Sequence, residues 1–153
     1  MNNVSLLVIG NDPSLLDVNS QAHKRAKDYA GVVDRYDVVT VAEKDAVIEI
    51  SSSAFVFGIK KTNKLITYFN LVRFLLNKIK KVDYKIISAQ DPFEFGLLAF
   101  WLAKNKNCKL HLQEHGDFFG TGSKFWLRES IFNYPRYFLG KYLLKKADGV
   151  RVV

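Results

Sequence analysis

A chain of 153 residues, 48% hydrophobic and 25% charged, has the length of one domain with a sizeable core and is too apolar to be disordered. Its 23 lysines and arginines against 15 acidic residues leave a formal charge of +8, which favours an anionic partner such as a membrane surface, a nucleotide or a nucleic acid. Cys108 is the only cysteine, so an internal disulfide and a cysteine-built zinc site are excluded, and a reducing, cytoplasmic setting is expected.

Met1-Asn2-Asn3 shows no signal-peptide pattern and leads straight into Val4–Gly10, a buried first strand. Asn11-Asp12-Pro13-Ser14 forms the turn after it. Asn19-Ser20 caps a helix over Gln21–Ala30, closed by Gly31. Tyr36–Ala42, with three valines and a threonine, reads as a second strand. Val47–Ile50 and Ala54–Ile59 are further short strands, separated by Ser51-Ser52-Ser53. Asn63–Lys81 is a long amphipathic helix. Its apolar stretch from Leu65 to Ile79 is interrupted by Asn70, Arg73 and Asn77, too polar to span a bilayer, so the chain is expected to be soluble or at most peripheral.

The second half is organised around a β-α-β unit. Lys85–Gln90 is a buried strand. Asp91 is placed to cap the next helix, Pro92 to take its first position and Glu94 to close a capping box. Phe95, Leu97, Leu98, Phe100, Trp101 and Leu102 carry that helix, Gly96 permits close packing, and Asn105 and Asn107 end it. Lys109–Gln113 is the following strand. Beyond its C-terminal end lie Glu114-His115-Gly116-Asp117-Phe118-Phe119, where open α/β sheets place ligands. A linker at Gly120–Ser123 leads to helical sequence over Lys124–Lys146, which Pro135 should kink or split, and Val150–Val153 begins another strand. Alternating strands and helices predict an α/β fold, a doubly wound, mostly parallel, Rossmann-like sheet flanked by helices, in a single domain over residues 1–153. The closing apolar strand suggests a natural chain that continues.

Three passages carry a family resemblance: Gln90-Asp91-Pro92-Phe93-Glu94-Phe95-Gly96-Leu97-Leu98, His111-Leu112-Gln113-Glu114-His115-Gly116-Asp117-Phe118-Phe119, and Arg128-Glu129-Ser130 followed by Lys145–Val153. In order and spacing they resemble the N-terminal domain of GT4-type glycosyltransferases, retaining enzymes of the two-domain GT-B architecture. The resemblance spans the second half of the chain; the first half agrees in its strand-helix rhythm. It implies an acceptor-binding domain, with the nucleotide-sugar donor gripped by a C-terminal domain that this sequence lacks. No cofactor is implied for this chain, and no metal. The expected acceptor is a glycan or a lipid-linked saccharide, and the fragment alone is expected to turn over little or nothing. Two family features have no counterpart: the paired glutamates of the C-terminal domain, and a glycine-rich loop after the first strand, which here reads Gly10-Asn11-Asp12-Pro13-Ser14.

By that resemblance His115 matches the family's cleft histidine, the catalytic candidate, and imidazole can donate or accept near neutral pH. The plainer reading is a histidine that satisfies loop carbonyls. Asp117 and Glu114 are candidate acceptor-binding carboxylates, against a turn-forming role for Asp117 and an outward-facing strand position for Glu114. Asn11 and Asp12 follow the first strand at another ligand-facing position, against a simple Asn-Asp-Pro turn. His23 and His111 read as structural.

A second reading rests on charge. Lys60, Lys61, Lys64, Arg73, Lys78, Lys80 and Lys81 come with no acidic residue among them. Lys124, Arg128, Arg136, Lys141, Lys145, Lys146 and Arg151 are interleaved with aromatics. A complete basic α/β module, docking on a partner chain or on an anionic membrane at its inner face, would use Lys78, Lys80, Lys81, Lys141, Lys145 and Lys146 as membrane contacts. Nucleic acid is disfavoured because no motif for it is present.

Overall fold

The computed structural model describes residues 4–152 and divides the chain into two compact units, Met1–Ile86 and Ile87–Val153. Met1–Asn3 and Val153, the last expected in the closing strand, lie outside the described residues. Both units are α/β, with mostly parallel strands flanked by helices, the Rossmann-like, doubly wound class that the alternation predicts.

In the first unit the strands are β1 (Ser5–Gly10), β2 (Arg35–Ala42), β3 (Ala46–Ser51) and β4 (Ala54–Lys60), in the spatial order β3-β4-β2-β1. β1 and β4 pair with β2 in parallel, while β3 joins β4 as an antiparallel edge strand with a register shift between Glu49 and Ser51. The serine run expected to separate two strands is thus the turn of a hairpin. Strand alternation sends Val8, Val38 and Val56 to one side, where they pack with Ala22 and Ala26 of α1 (Gln21–Ala30). Phe57 points the other way, its ring 5.2 Å from Phe74 of α2 (Lys64–Lys81). α2 buries Thr67, Leu71, Leu75 and Ile79, a stripe at four-residue spacing, because that spacing keeps side chains on one helical face. Ser20 caps α1 by accepting from the His23 amide, as the sequence predicts, and Asn63, expected within α2, instead caps it by accepting from the Ile66 amide.

The second unit holds β5 (Ile86–Ala89) from its second residue onward, α3 (Glu94–Lys106), β6 (Lys109–Glu114), α4 (Ser123–Glu129), α5 (Asn133–Leu144) and β7 (Gly149–Val152). β6 and β7 pair in parallel. Asp148 locks the entrance to that pair: its carboxylate accepts from the Leu110 amide at 2.9 Å and its own amide donates to Leu110 O at 2.8 Å. Leu98, Ala99 and Leu102 of α3 are buried, as are Leu110, Leu112 and Leu143. Gly96 marks the close approach: a Cβ there would lie 2.8 Å from the Asp91 carbonyl oxygen and 3.4 Å from Leu143.

Two expectations need correction. α3 starts at Glu94, with Phe93 at the N-cap, so Asp91 and Pro92 precede the helix and Glu94 sits too early to close a capping box. Asp91 still serves the helix end by accepting from the Phe93 amide at 2.7 Å. Glu94 Oε1 accepts instead from Arg136 on α5, from Nε at 2.8 Å and also from Nη2. The last helical stretch does split, but at Ser130–Phe132. Pro135 falls in the first turn of α5, where a missing N–H removes no intrahelical bond.

Candidate functional site

The candidate site is the loop that leaves β6. Leu110 and Leu112 are buried, so alternation turns His111 and Gln113 to the other side of the strand, and His115 continues that row. His115 is exposed, and its Nε2 donates to Gln113 Oε1 at 3.3 Å. Gln113 Nε2 in turn donates to Ser88 Oγ at 3.3 Å, and Ser88 Oγ lies 2.8 Å from His111 Nδ1. The three side chains behind His115 thus form a continuous hydrogen-bonded row along β5 and β6. Burial, and then the charge of Arg151, push the His111 imidazole below its ordinary 6.5. Gly149 pairs with His111 across β6–β7, and a Cβ there would lie 3.4 Å from the His111 ring.

Asp117 organises the rest of the loop. Its Oδ2 accepts from the Gly122 amide at 2.6 Å and from Thr121 Oγ1 at 3.0 Å. These bonds, the Gly122 amide foremost, hold its carboxyl below the usual 3.8. Space around that carboxylate exists because Gly120 and Gly122 carry no Cβ; one at Gly120 would sit 2.1 Å from Asp117 Oδ1. Gly116 adopts φ +132°, a conformation open to glycine and strained for other residues. Glu114 is half-buried, and desolvation first, then the Asp117 charge, raises its carboxyl above 4.5. Two carboxylates and an imidazole thus lie within four residues of one short loop, where the carboxylates can accept from hydroxyls.

Aromatic packing anchors the loop. Phe118 lies 5.3 Å from Phe93 and 5.0 Å from Trp126, and Phe93 stacks on Trp126 at 5.2 Å. Phe119 reaches Tyr137 at 5.6 Å. Each such pair contributes on the order of 1 kcal/mol beyond its area. Buried Asn133 ties α5 to α4 by donating to Trp126 O at 2.7 Å.

The other predicted positions lie elsewhere. Asp12, in the first unit, caps a single 3-10 turn at Pro13–Leu16 by accepting from the Ser14 amide at 3.1 Å, while Asn11 is exposed. His23 is buried with Nδ1 2.9 Å from Leu15 O, the structural role expected of it. Lys80, Lys81, Lys141, Lys145 and Lys146 are exposed. Lys78 differs from them: its ammonium turns inward, 3.3 Å from Asp37 and 3.9 Å above the Phe57 ring, and its side chain is only 15% exposed.

Sequence reasoning missed the group that Lys78 joins. Asp37 is fully buried on β2, between Leu7 and Phe55 on the neighbouring strands. It accepts from Arg35 Nε at 3.1 Å and from the Tyr84 hydroxyl. An acidic residue inside an apolar strand was the available signal, since such a charge persists only with partners. The cluster sits near the start of β2, away from the strand's C-terminal end, and its one carboxylate is shared by two cations, Arg35 and Lys78. It ties Tyr84 and α2 to β2.

Among the described residues no three His, Cys, Asp or Glu side chains gather to hold a metal ion, and no helix is long and apolar enough to cross a membrane. No protein-family model matches the chain, and no curated protein matches it either.

Proposed function

We propose that this chain is the acceptor-side domain of a GT4-like, retaining glycosyltransferase, which moves a sugar from a nucleotide-sugar to a glycan or lipid-linked saccharide. The observation that supports it is the exposed His115 imidazole just past the C-terminal end of β6, flanked by Glu114 and an Asp117 held by its own loop. In this reading His115 contacts the acceptor or the transferring sugar, and the carboxylates accept from sugar hydroxyls. Donor contacts belong to the family's other domain, so turnover by this chain alone is expected to be negligible. The test is binding of a panel of glycans and lipid-linked saccharides to the chain, followed by its amide resonances. A binder should perturb the Glu114–Gly122 loop and lose roughly tenfold or more in affinity, about 1.4 kcal/mol, on His115→Ala. A panel without binders, or one bound equally well by His115→Ala, sinks the reading.

A second reading has its own observation. Phe125, Ile131, Phe132 and Phe138 are each more than two-thirds exposed around α4 and α5, beside exposed Lys124, Arg128, Lys141 and Lys145. Apolar side chains rimmed by cations suit the anionic, inner face of a cell membrane, where each lysine near the surface contributes about 1 kcal/mol. Binding to phosphatidylserine vesicles that fades with added salt and on Phe132→Ser would support peripheral attachment. Equal partition onto neutral vesicles would count against it. The two readings are compatible, because a lipid-linked acceptor lies at that surface.

A further inference from the structure

We propose that Gln113, Ser88 and His111 are positioning residues that decide which ring nitrogen His115 presents to its ligand: Nε2 carries the proton and Nδ1 is left to accept. This rests on the reading of His115 as a ligand contact.

The direction of the row follows from the chemistry of its members. Gln113 turns its carbonyl oxygen to His115 and its amide nitrogen to Ser88. A carbonyl only accepts, so His115 Nε2 must donate. A neutral imidazole has one N–H, and Nδ1 is therefore bare. At the other end Ser88 Oγ accepts from the Gln113 amide and still has its own hydrogen to give, with His111 Nδ1 at 2.8 Å. In the proposed arrangement His111 accepts there as a neutral ring protonated on Nε2. Burial and the Arg151 charge favour that neutral state.

Every bond in the row thus points from His115 inward to His111. The charged groups around the row are Arg151 on β7, paired in register with Gln113, and Glu114 and Asp117 on the loop. The alternation that places residues 111, 113 and 115 on one side of β6 makes the row possible, and Ser88 on β5 completes it.

Heteronuclear NMR of the imidazole nitrogens in the 153-residue chain reads the tautomer directly. In the wild type the neutral His115 ring should carry its proton on Nε2, with Nδ1 bare. Gln113→Leu should raise the Nδ1–H fraction several-fold. Ser88→Ala should move the His115 nitrogen shifts in the wild type and leave them unmoved in the Gln113→Leu background, since its influence passes through the amide. If Gln113→Leu does not fold, Gln113→Met, unbranched and of similar length, gives the same comparison. A wild-type ring protonated mainly on Nδ1, or a tautomer ratio unchanged by the Gln113 variant, overturns the inference. Neither readout involves a saccharide, so failure here leaves acceptor binding standing, and failure of acceptor binding leaves the tautomer result standing.

Discussion

The ammonium of Lys78 lies 3.3 Å from the fully buried carboxylate of Asp37, which also receives Arg35 and the Tyr84 hydroxyl. Removing the carboxylate leaves two partly buried cations without their shared counter-charge, whereas removing one cation leaves Asp37 with two other donors. Asp37→Ala is therefore expected to cost about 3 kcal/mol or more, and Lys78→Met clearly less. Urea denaturation midpoints check the ranking, and equal losses would contradict it.

Alkaline stability should fall because two tyrosines bind their protons more tightly in the folded protein. Burial pushes the Tyr36 phenol from 10.0 up to about 12, and burial followed by the Asp37 hydrogen bond raises Tyr84 further. A raised folded value means stability is fully present below pH 10 and is lost as pH climbs through the folded value, at about 1.4 kcal/mol per pH unit per group. Lys78 works the other way, since burial lowers it from 10.5, but its gain is complete by that pH. Above pH 10.5 only the loss remains. Tyr36→Phe should flatten the fall in urea midpoint between pH 10 and 12.

Loop order around His115 should depend on the charge of Asp117. Its carboxyl is held below 3.8 by the Gly122 amide and the Thr121 hydroxyl, so the arrangement is complete at neutral pH. It weakens as pH falls through that depressed value. The Gly122 amide resonance should titrate at a pH below the ordinary aspartate range, and Asp117→Asn should abolish that step. A Gly122 amide that titrates at ordinary aspartate pH would argue against the bond.

Gly96→Ala sets helix propensity against packing. Alanine favours a helix interior by about 1 kcal/mol over glycine. Here the added Cβ would meet the Asp91 carbonyl at 2.8 Å, and a backbone atom cannot rotate away. Net destabilisation of about 1–2 kcal/mol is expected, read as a lower thermal midpoint. A higher midpoint would show that the segment before α3 yields.

What could be read from the sequence was local. Strand and helix identity follow from periodicity, and the caps at Ser20 and Asn107 follow from side chains that bond or bend their own backbone. The position of His115 past a strand end is local too. What only the tertiary structure decided are pairings between distant residues: Tyr84 with Asp37, Arg136 with Glu94, and Ser88 with His111 and Gln113. No spacing rule announces them, because they depend on which strands become neighbours and which side chains burial then forces together. That is why Glu94 looked like a cap and bonds an arginine, why Lys78 looked like a surface lysine and faces inward, and why His115 acquired its orienting row from a strand more than twenty residues upstream.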